Sequence, residues 1–265
     1  MARYYLLGKL NFFIIFSTTG KGEYMSEHPV QNQTIRTQLI ADMTDGPYAA
    51  CDRLPRESVL SEKMGISRTQ LRDILASLER EGFITRRHGV GTIINRHVLN
   101  VTTRMDIEVE FLDMIRQSGH EPGIAFVQVS DSVADETTAR QLQLPEGTPI
   151  LRLARLCTAD GKPAIYCEDV VERALVQRDY TIQDCKGSIF RFLQKVCGVD
   201  AYLDLTEVRP VAADAMLGEI LHVPEGTPLL RMDEVDYDMD GKPVFCSTEY
   251  FVDGIISHTV LRKKL

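Results

Sequence analysis

The sequence lacks several features that mark whole classes of protein. It has no apolar run of about 18 residues or more, so we expect no membrane-spanning helix. Its six cysteines form no C-x-x-C pair and show no spacing with histidine that indicates zinc, which favours reduced, mostly buried thiols in the cytoplasm. No nucleophile and base stand in a recognisable catalytic pattern. We therefore expect no metal site, no cofactor and no catalytic residue.

Positive charge is also scarce, and it is unevenly distributed. The formal net charge of the 265 residues is −8. From Ser26 to Val98 ten Lys and Arg stand against nine Asp and Glu, whereas from Leu99 to Leu265 there are 17 against 28. An acidic C-terminal half would be repelled by DNA, so only the N-terminal half is expected to meet a nucleic acid. A chain of this length is expected to form roughly two domains.

One stretch in the N-terminal half has the pattern of an amphipathic helix with a defined start. Ser67 is placed to cap the helix, with a glutamine three residues later as in a capping box. Aliphatic residues then recur at helical spacing, at Leu71, Ile74, Leu75 and Leu78. The outward face of the first turns carries Arg68, Thr69 and Arg72. Arginine side chains at a helix N-terminus are suited to phosphate or to the edge of guanine.

The residues around this helix complete a DNA-binding pattern. A short helix is predicted from Leu54-Pro55 to about Met64, and Gly65 provides the turn to the second helix. Downstream, Phe83–Arg86 and Thr92–Ile94 are predicted as strands around a basic tip that contains Gly89. The pattern is that of a helix-turn-helix followed by a β-hairpin wing.

This segment resembles the winged helix-turn-helix of the GntR family of bacterial transcription regulators. The matching residues are Gly46, Leu54-Pro55-x-Glu57, Leu60, Gly65-Ile66-Ser67-Arg68, Leu71-Arg72, Leu75, Leu78, Glu81-Gly82-Phe83-Ile84 and Gly89-x-Gly91-Thr92. The resemblance implies that Ser67, Arg68, Thr69 and Arg72 contact the major groove, and that His88 and Gly89 enter the minor groove. The family usually has an arginine where this chain has Ser58, and we expect Arg56 to replace that contact. Arg86, on the basic wing, joins the expected DNA-binding set.

The first 24 residues do not fit this arrangement. They carry an apolar run from Leu10 to Phe16 that resembles a signal peptide without a convincing cleavage site. The codons for Lys21-Gly22-Glu23 can spell a purine-rich ribosome-binding site just before Met25. We hypothesise that translation starts at Met25 and that residues 1–24 are not part of the native protein. A peptide from Leu10 to Lys21, detected by mass spectrometry in cells, would contradict this.

The C-terminal half contains an internal repeat. The segment Leu144–Arg152 recurs 79 residues later as Val223–Arg231, and Asp160-Gly161-Lys162-Pro163 recurs 80 residues later from Asp240. Each copy reads as a short helix, a turn, a strand, an Asp-Gly hairpin and a second strand. The duplication predicts one antiparallel sheet built from two equivalent halves, with helices at one face. Between the copies, Ser188 is placed to cap a further helix.

This half resembles the UTRA domain, the effector-binding module of the HutC subgroup of GntR regulators, which is similar in fold to chorismate lyase. In relatives that sense sugar phosphates, an R-x-R strand, a serine and a tyrosine hold the phosphate, and a glutamate holds a hydroxyl. By resemblance Arg155, Ser188 and Glu168 match three of these ligands, whereas Cys157 and Phe190 replace two others. Arg152 and Glu249 are further candidates, although both arginines could instead be bridged to neighbouring carboxylates.

The departures from the sugar-phosphate pattern bear on the effector. Asp106, Glu108 and Glu110 crowd the start of a predicted helix where those relatives bind phosphate, and carboxylates there compete with an anion. We expect a carboxylate, an amino-acid-like compound or a polyol, with Arg155 facing a carboxylate and Glu168 an amine or hydroxyl.

Together these patterns predict an α+β protein. A winged helix-turn-helix over residues 26–98 is followed by a linker at 99–103 and a chorismate-lyase-like antiparallel sheet domain over 104–265. The favoured function is a cytoplasmic, ligand-responsive repressor that binds a palindromic double-stranded operator as a homodimer. Two alternatives remain at this point: a lyase-like enzyme and a DNA-binding protein without an effector.

Overall fold

The computed structural model describes residues 28–101 and 103–263, so the predicted extension over residues 1–24 lies outside the described residues. The chain divides into two compact units between Arg96 and His97. The finer boundaries expected at 26–98, 99–103 and 104–265 stay predictions. Every helix within the described ranges is too short or too polar to cross a lipid bilayer.

The N-terminal unit is a set of helices followed by a two-stranded hairpin. In chain order its elements are α1 (His28–Thr44), α2 (Glu57–Met64), α3 (Arg68–Arg80), β1 (Ile84–Arg87) and β2 (Gly91–Ile94). A short helix, α4 (Arg96–Leu99), follows at the division between the units. The predicted helix-turn-helix and wing are both present.

The turn between α2 and α3 is built as the sequence predicts. Gly65 ends α2 in the left-handed conformation (φ 66°), which glycine adopts without strain. Ser67 then caps α3, its side chain accepting a hydrogen bond from the backbone N–H of Gln70 at 3.1 Å. The four predicted inward residues are fully buried: Leu71, Ile74, Leu75 and Leu78. Each contributes about 1.5–3 kcal/mol relative to an exposed side chain.

The rest of this unit holds α3 in place. Leu39 and Met43 of α1 and Leu60 of α2 are at most 1% exposed and belong to the unit's core. The wing strands pair antiparallel, with Ile84 opposite Ile94 and Arg87 opposite Gly91. The tip residues between them therefore project from a short, anchored ribbon.

The C-terminal unit is organised around one antiparallel sheet. Its elements are α5 (Phe111–Gln117), β3 (Pro122–Val133), α6 (Glu136–Gln141), β4 (Pro149–Ala159), β5 (Lys162–Glu172), α7 (Ile189–Phe192, continued by a wider helical turn over Leu193–Cys197), β6 (Leu203–Ala212), α8 (Ala215–Leu221), β7 (Pro228–Tyr237) and β8 (Pro243–Val252). The strand order is β3-β4-β5-β8-β7-β6. Ser188 caps α7 as predicted, accepting from the backbone N–H of Arg191.

The sheet is two copies of one three-stranded arrangement. The half β3-β4-β5 and the half β6-β7-β8 meet where β5 pairs with β8. This confirms the single antiparallel sheet that the sequence repeat predicts. Each half carries the same short helix between its first two strands, α6 in one and α8 in the other.

The helices cover both faces of the sheet, not the one face predicted. Residues of α5 and α7 pack in clusters with one face, whereas residues of α6 and α8 pack in clusters with the other. The physical reason is visible in β4, where consecutive residues from Leu156 to Ala159 are all buried. A strand that is apolar on both sides needs cover on both sides.

Each hairpin contains an irregularity at the equivalent place. The β4–β5 register shifts by one residue between Cys157 and Thr158. The β7–β8 register shifts between Asp236 and Tyr237. Such a bulge moves every residue beyond it to the opposite face relative to a regular hairpin.

Candidate functional site

A basic groove lies between the α2–α3 turn and the wing of the N-terminal unit. Its volume is about 940 Å³. Its lining includes six arginines and a histidine: Arg53, Arg56, Arg68, Arg72, Arg86, Arg87 and His88. The only acidic side chains among the described lining residues are Glu57 and Glu79. A unit of nearly balanced charge thus concentrates its positive side chains on one concave surface.

The two glutamates of the groove orient arginines. Arg72 Nε donates to Glu57 Oε2 at 2.8 Å, which links α3 to the start of α2. Arg86 Nε donates to Glu79 Oε2 at 2.7 Å, and the backbone N–H of Arg86 donates to the same carboxylate. These two ion pairs connect α2 and the wing to α3, the helix between them in the chain.

The structure places all eight predicted DNA-binding residues on the surface. Arg56, Arg68, Arg72, Arg86, His88 and Gly89 line the groove. Ser67 and Thr69 are exposed at the start of α3 but do not line it. The hydroxyl of Ser67 serves the helix cap.

Sequence reasoning missed two arginines of the groove. Arg87 ends β1 beside the wing tip, and its place in the basic R-R pair of the sequence was a usable signal. Arg53 precedes α2, and its Nη1 donates to the carbonyl of Val90 at 3.0 Å. An isolated bridge also pairs Arg53 with Ile93. No sequence pattern links residues so far apart, and the structure shows that Arg53 holds the wing tip.

In the C-terminal unit, Arg155 is buried in an ion pair. Its Nη2 lies 2.7 Å from Asp169 Oδ2, and the two side chains are 5% and 1% exposed. Its Nη1 donates to the carbonyl of Gly187, whereas its Nε has no hydrogen-bond partner. Arg155 is therefore largely neutralised within the chain, and its Nε is the one guanidinium nitrogen without a hydrogen bond.

Two predicted ligands adjoin Arg155. Ser188 and Arg155 line a cavity of about 190 Å³ that also includes Cys157 and Glu110. Glu249 and Arg155 line a narrower space that includes Glu108 and Glu234. Burial raises the pKa of Cys157 to about 11, so this thiol is protonated at neutral pH and does not replace the arginine of the R-x-R pattern.

Glu168 and Arg152 do not join this site. Glu168 lies directly opposite Ala154, whereas Arg155 lies opposite Cys167, so Glu168 and Arg155 point to opposite faces of the sheet. Glu168 and Arg152 line a separate cavity with Asp135. The expectation that Arg155 and Glu168 hold one ligand between them is therefore wrong. In a hairpin without the bulge, Arg155 and Glu168 would lie on the same face of the sheet. The register shift after Cys157 puts them on opposite faces.

The face that carries Arg155 is acidic. Arg155 of β4 pairs with Cys167 of β5, which pairs with Glu249 of β8, so these three side chains lie on one face of the sheet. Glu234 and Asp236 of β7 lie on the same face. Asp204 of β6, which pairs with Asp236, lies there as well. Carboxylate oxygens of Glu108, Asp204 and Glu234 lie within 4.8 Å of one another. Burial, with repulsion from Asp204, raises the pKa of Glu234 to about 7. Burial, with repulsion from Glu234 and Asp204, raises the pKa of Asp236 to about 8.

Both halves of the chain match known families. Residues 31–94 match the family described as bacterial regulatory proteins of the gntR family, and residues 117–253 match the UTRA domain. The HTH-type transcriptional regulator RB1450 of Rhizobium meliloti is 25% identical over 226 residues, which are 83% of this chain and 91% of that protein. The histidine utilization repressor of Pseudomonas putida is 26% identical over 207 residues, 74% of this chain and 77% of that protein.

A solved structure agrees with the fold. The transcriptional regulator YydK of Bacillus subtilis superposes with a TM-score of 0.69 at 16% identity, covering 88% of this chain and 99% of that one. The family is one of transcription regulators and not of enzymes, which removes the lyase alternative. The chain belongs to the GntR family of bacterial transcription regulators, with a UTRA domain as its C-terminal half.

Proposed function

We propose that the protein is a ligand-responsive repressor that binds a palindromic operator as a homodimer in the cytoplasm. The observation that carries this proposal is the groove of six arginines between α3 and the wing. A concave basic surface beside an exposed helix N-terminus is what phosphate and base-edge contacts require. The histidine utilization repressor, which aligns with this chain over 77% of its own length, supports repression rather than activation.

Within this proposal α3 is the recognition helix. Arg68 and Arg72 are exposed on its outer face, and the four aliphatic residues of its inner face are buried. Ser67, Arg68, Thr69 and Arg72 contact the major groove, and His88 and Gly89 enter the minor groove. Arg56, just before α2, and Arg86, on the wing, bind the DNA beside them. A dimer follows because helix-turn-helix proteins read two half-sites about 34–36 Å apart.

The effector part of the proposal rests on cavities of the C-terminal unit. A cavity of about 230 Å³ lies beside Asp204, Asp236 and Phe190. It adjoins the narrow space at Arg155 and Glu249, since Glu108 and Phe190 line both. An effector-independent domain would be expected to fill such a space with side chains. We therefore propose that a small molecule binds there and alters operator affinity.

The test is to select an operator from random duplex DNA and to measure its affinity by fluorescence anisotropy. We expect a near-palindromic sequence bound at nanomolar concentration by two copies of the chain. The dependence on salt should be steep, because each phosphate contact releases counterions. Binding without sequence preference, or one copy per site, would overturn the proposal.

A further inference from the structure

The cavity beside the Arg155 site has an unusual charge. Counting the 230 Å³ cavity and the adjoining narrow space together, the described lining residues include seven acids and one basic side chain, Arg155. The acids are Glu108, Glu110, Asp200, Asp204, Glu234, Asp236 and Glu249. We call this space the acidic cavity. Since Arg155 already pairs with Asp169, the cavity contains no free positive charge to balance these carboxylates.

The internal repeat shows which cation is missing. Through the 79- and 80-residue offsets, Arg155 of the first copy corresponds to Glu234 of the second, and Asp169 corresponds to Glu249. Cross-strand pairing agrees, because Arg155 lies opposite Cys167 and Glu234 lies opposite the equivalent Ser247. The first copy thus neutralises its buried carboxylate with an arginine of the chain. The second copy has two carboxylates at the same places.

A separate observation indicates that one carboxylate of the acidic cavity, Asp236, is not satisfied by the chain, whereas Asp204 and Glu234 accept from Thr206 and Glu249 accepts from Ser247. Asp236 is 2% exposed, and its Oδ2 has no hydrogen-bond partner. It lines the cavity together with Asp204, which lies directly opposite on β6. A buried carboxylate without a partner is unfavourable by several kcal/mol when charged, so such groups are normally paired or bound to a cation.

We propose that the acidic cavity binds a small organic cation, whose ammonium group lies between Asp236, Glu234 and Glu249 and takes the place that Arg155 has in the first repeat. This inference rests on the proposed function, since the cation is the effector of the regulator. It replaces the expected Arg155 and Glu168 pair with carboxylates that the structure brings together. The unused Nε of Arg155 is available to an oxygen of the same ligand.

The walls favour an organic cation over a bare metal ion. Phe190 and Tyr202 line the cavity, and aromatic faces attract ammonium groups. The volume of about 230 Å³ is far larger than a single ion needs. Calcium would require six to eight oxygen ligands around one point, whereas the group of carboxylate oxygens that converges here, within 4.8 Å of one another, has three members: Glu108, Asp204 and Glu234.

The experiment compares three four-carbon probes that differ mainly in charge: 1,4-diaminobutane, 1,4-butanediol and succinate. Thermal unfolding of the full chain is followed at pH 8 and constant ionic strength, with magnesium chloride as a further arm. We expect 1,4-diaminobutane alone to raise the unfolding midpoint, by roughly 5–10 °C at a hundred times its dissociation constant. The shift should disappear in Asp236→Asn and persist in Glu219→Gln, an exposed acid of α8.

Other outcomes overturn the inference. An equal shift from butanediol or succinate would show that charge does not select the ligand. A shift from magnesium without one from the diamine would make this a metal site, and no shift from any probe would remove the site. Operator affinity, measured on the same preparations, is a separate readout. If the ligand-free protein does not bind the operator, the proposed function is contradicted. If it binds the operator but 1,4-diaminobutane does not raise its unfolding midpoint, only the proposed cation site is contradicted.

Discussion

Arg72 of α3 donates from Nε to Oε2 of Glu57 at 2.8 Å, so the glutamate of the L-P-x-E motif orients an arginine of the next helix. The Arg72 side chain remains 63% exposed. An exposed pair of this kind adds at most about 1 kcal/mol to stability. Its role is therefore the position of the guanidinium, which is held at the groove before DNA arrives.

Replacing Arg72 by alanine should weaken operator binding while leaving the fold intact. We expect a loss of about 1–3 kcal/mol in binding free energy, which is roughly 5- to 150-fold in affinity. Anisotropy titrations on the selected operator provide the measurement. Arg173→Ala, which removes an arginine from the C-terminal unit, is the matched control. Unchanged operator affinity in Arg72→Ala would remove the assignment of α3 as the recognition helix.

Breaking the Arg155–Asp169 pair should destabilise the C-terminal unit. Either Arg155→Ala or Asp169→Ala leaves one buried charge alone, and we expect a loss of about 3–5 kcal/mol in the free energy of unfolding. Urea unfolding checks this. The double variant Arg155→Met with Asp169→Leu should recover most of the loss, because no charge is then buried. A mild effect of the single changes would mean that water reaches the pair.

The stability of the ligand-free protein should fall as the pH rises towards 8. The pKa values of Glu234 and Asp236 are about 7 and about 8 in the folded chain, above their ordinary values of 4.5 and 3.8. Stability from their protonated forms is complete below the ordinary pKa and is lost as the pH passes through the folded pKa. The groups facing Asp236 are Asp204, Glu234 and Asp169 on the strands and Glu108 on the loop before α5.

Urea unfolding between pH 5.5 and 8.5 measures this dependence, and a stability that rises across the range would contradict it. Saturating 1,4-diaminobutane should reduce the decline, because a bound cation favours the charged carboxylates.

Asp236→Asn should stabilise the ligand-free protein at pH 8. The amide keeps the shape of the side chain and removes a buried charge that has no hydrogen-bond partner at Oδ2. We expect a gain of at least about 1 kcal/mol, since one pKa unit corresponds to about 1.4 kcal/mol. The gain should be smaller at pH 6, where Asp236 is already protonated. A destabilised variant would indicate that Asp236 is satisfied by a partner in solution.

Local patterns allowed the N-terminal unit to be predicted almost completely. The cap at Ser67, the turn at Gly65 and the inner face of α3 depend on residues within a few positions of one another. The two equivalent halves of the sheet could likewise be predicted, because the sequence repeat is visible without the structure. Arg53, whose partner lies 37 residues away at the wing tip, has no such local signal.

The proposed effector site is harder to predict from sequence because it depends on the register of the strands. The Asp160-Gly161 pair predicts the hairpin turn, but no sequence signal marks the extra residue of the bulge, Ala164, which lies three positions after the turn, between the partners of Thr158 and Cys157. Because of that extra residue, Asp169 and not Glu168 lies on the same face as Arg155. The residues of β5 that face α7 are therefore those that a regular hairpin would place on the opposite face. Acids contributed by β6, β7 and the loop before α5 could not be grouped before the strand order was known.

The repeat in the sheet has a consequence for how such a protein acquires specificity. After a duplication, both copies share one backbone, and a buried ion pair can be kept in one copy and left incomplete in the other. The incomplete copy then requires its missing partner from outside the chain, at a position already shaped for a guanidinium. In the proposed site Glu234, at the position that Arg155 has in the other copy, presents a carboxylate to a cation that has to come from outside the chain.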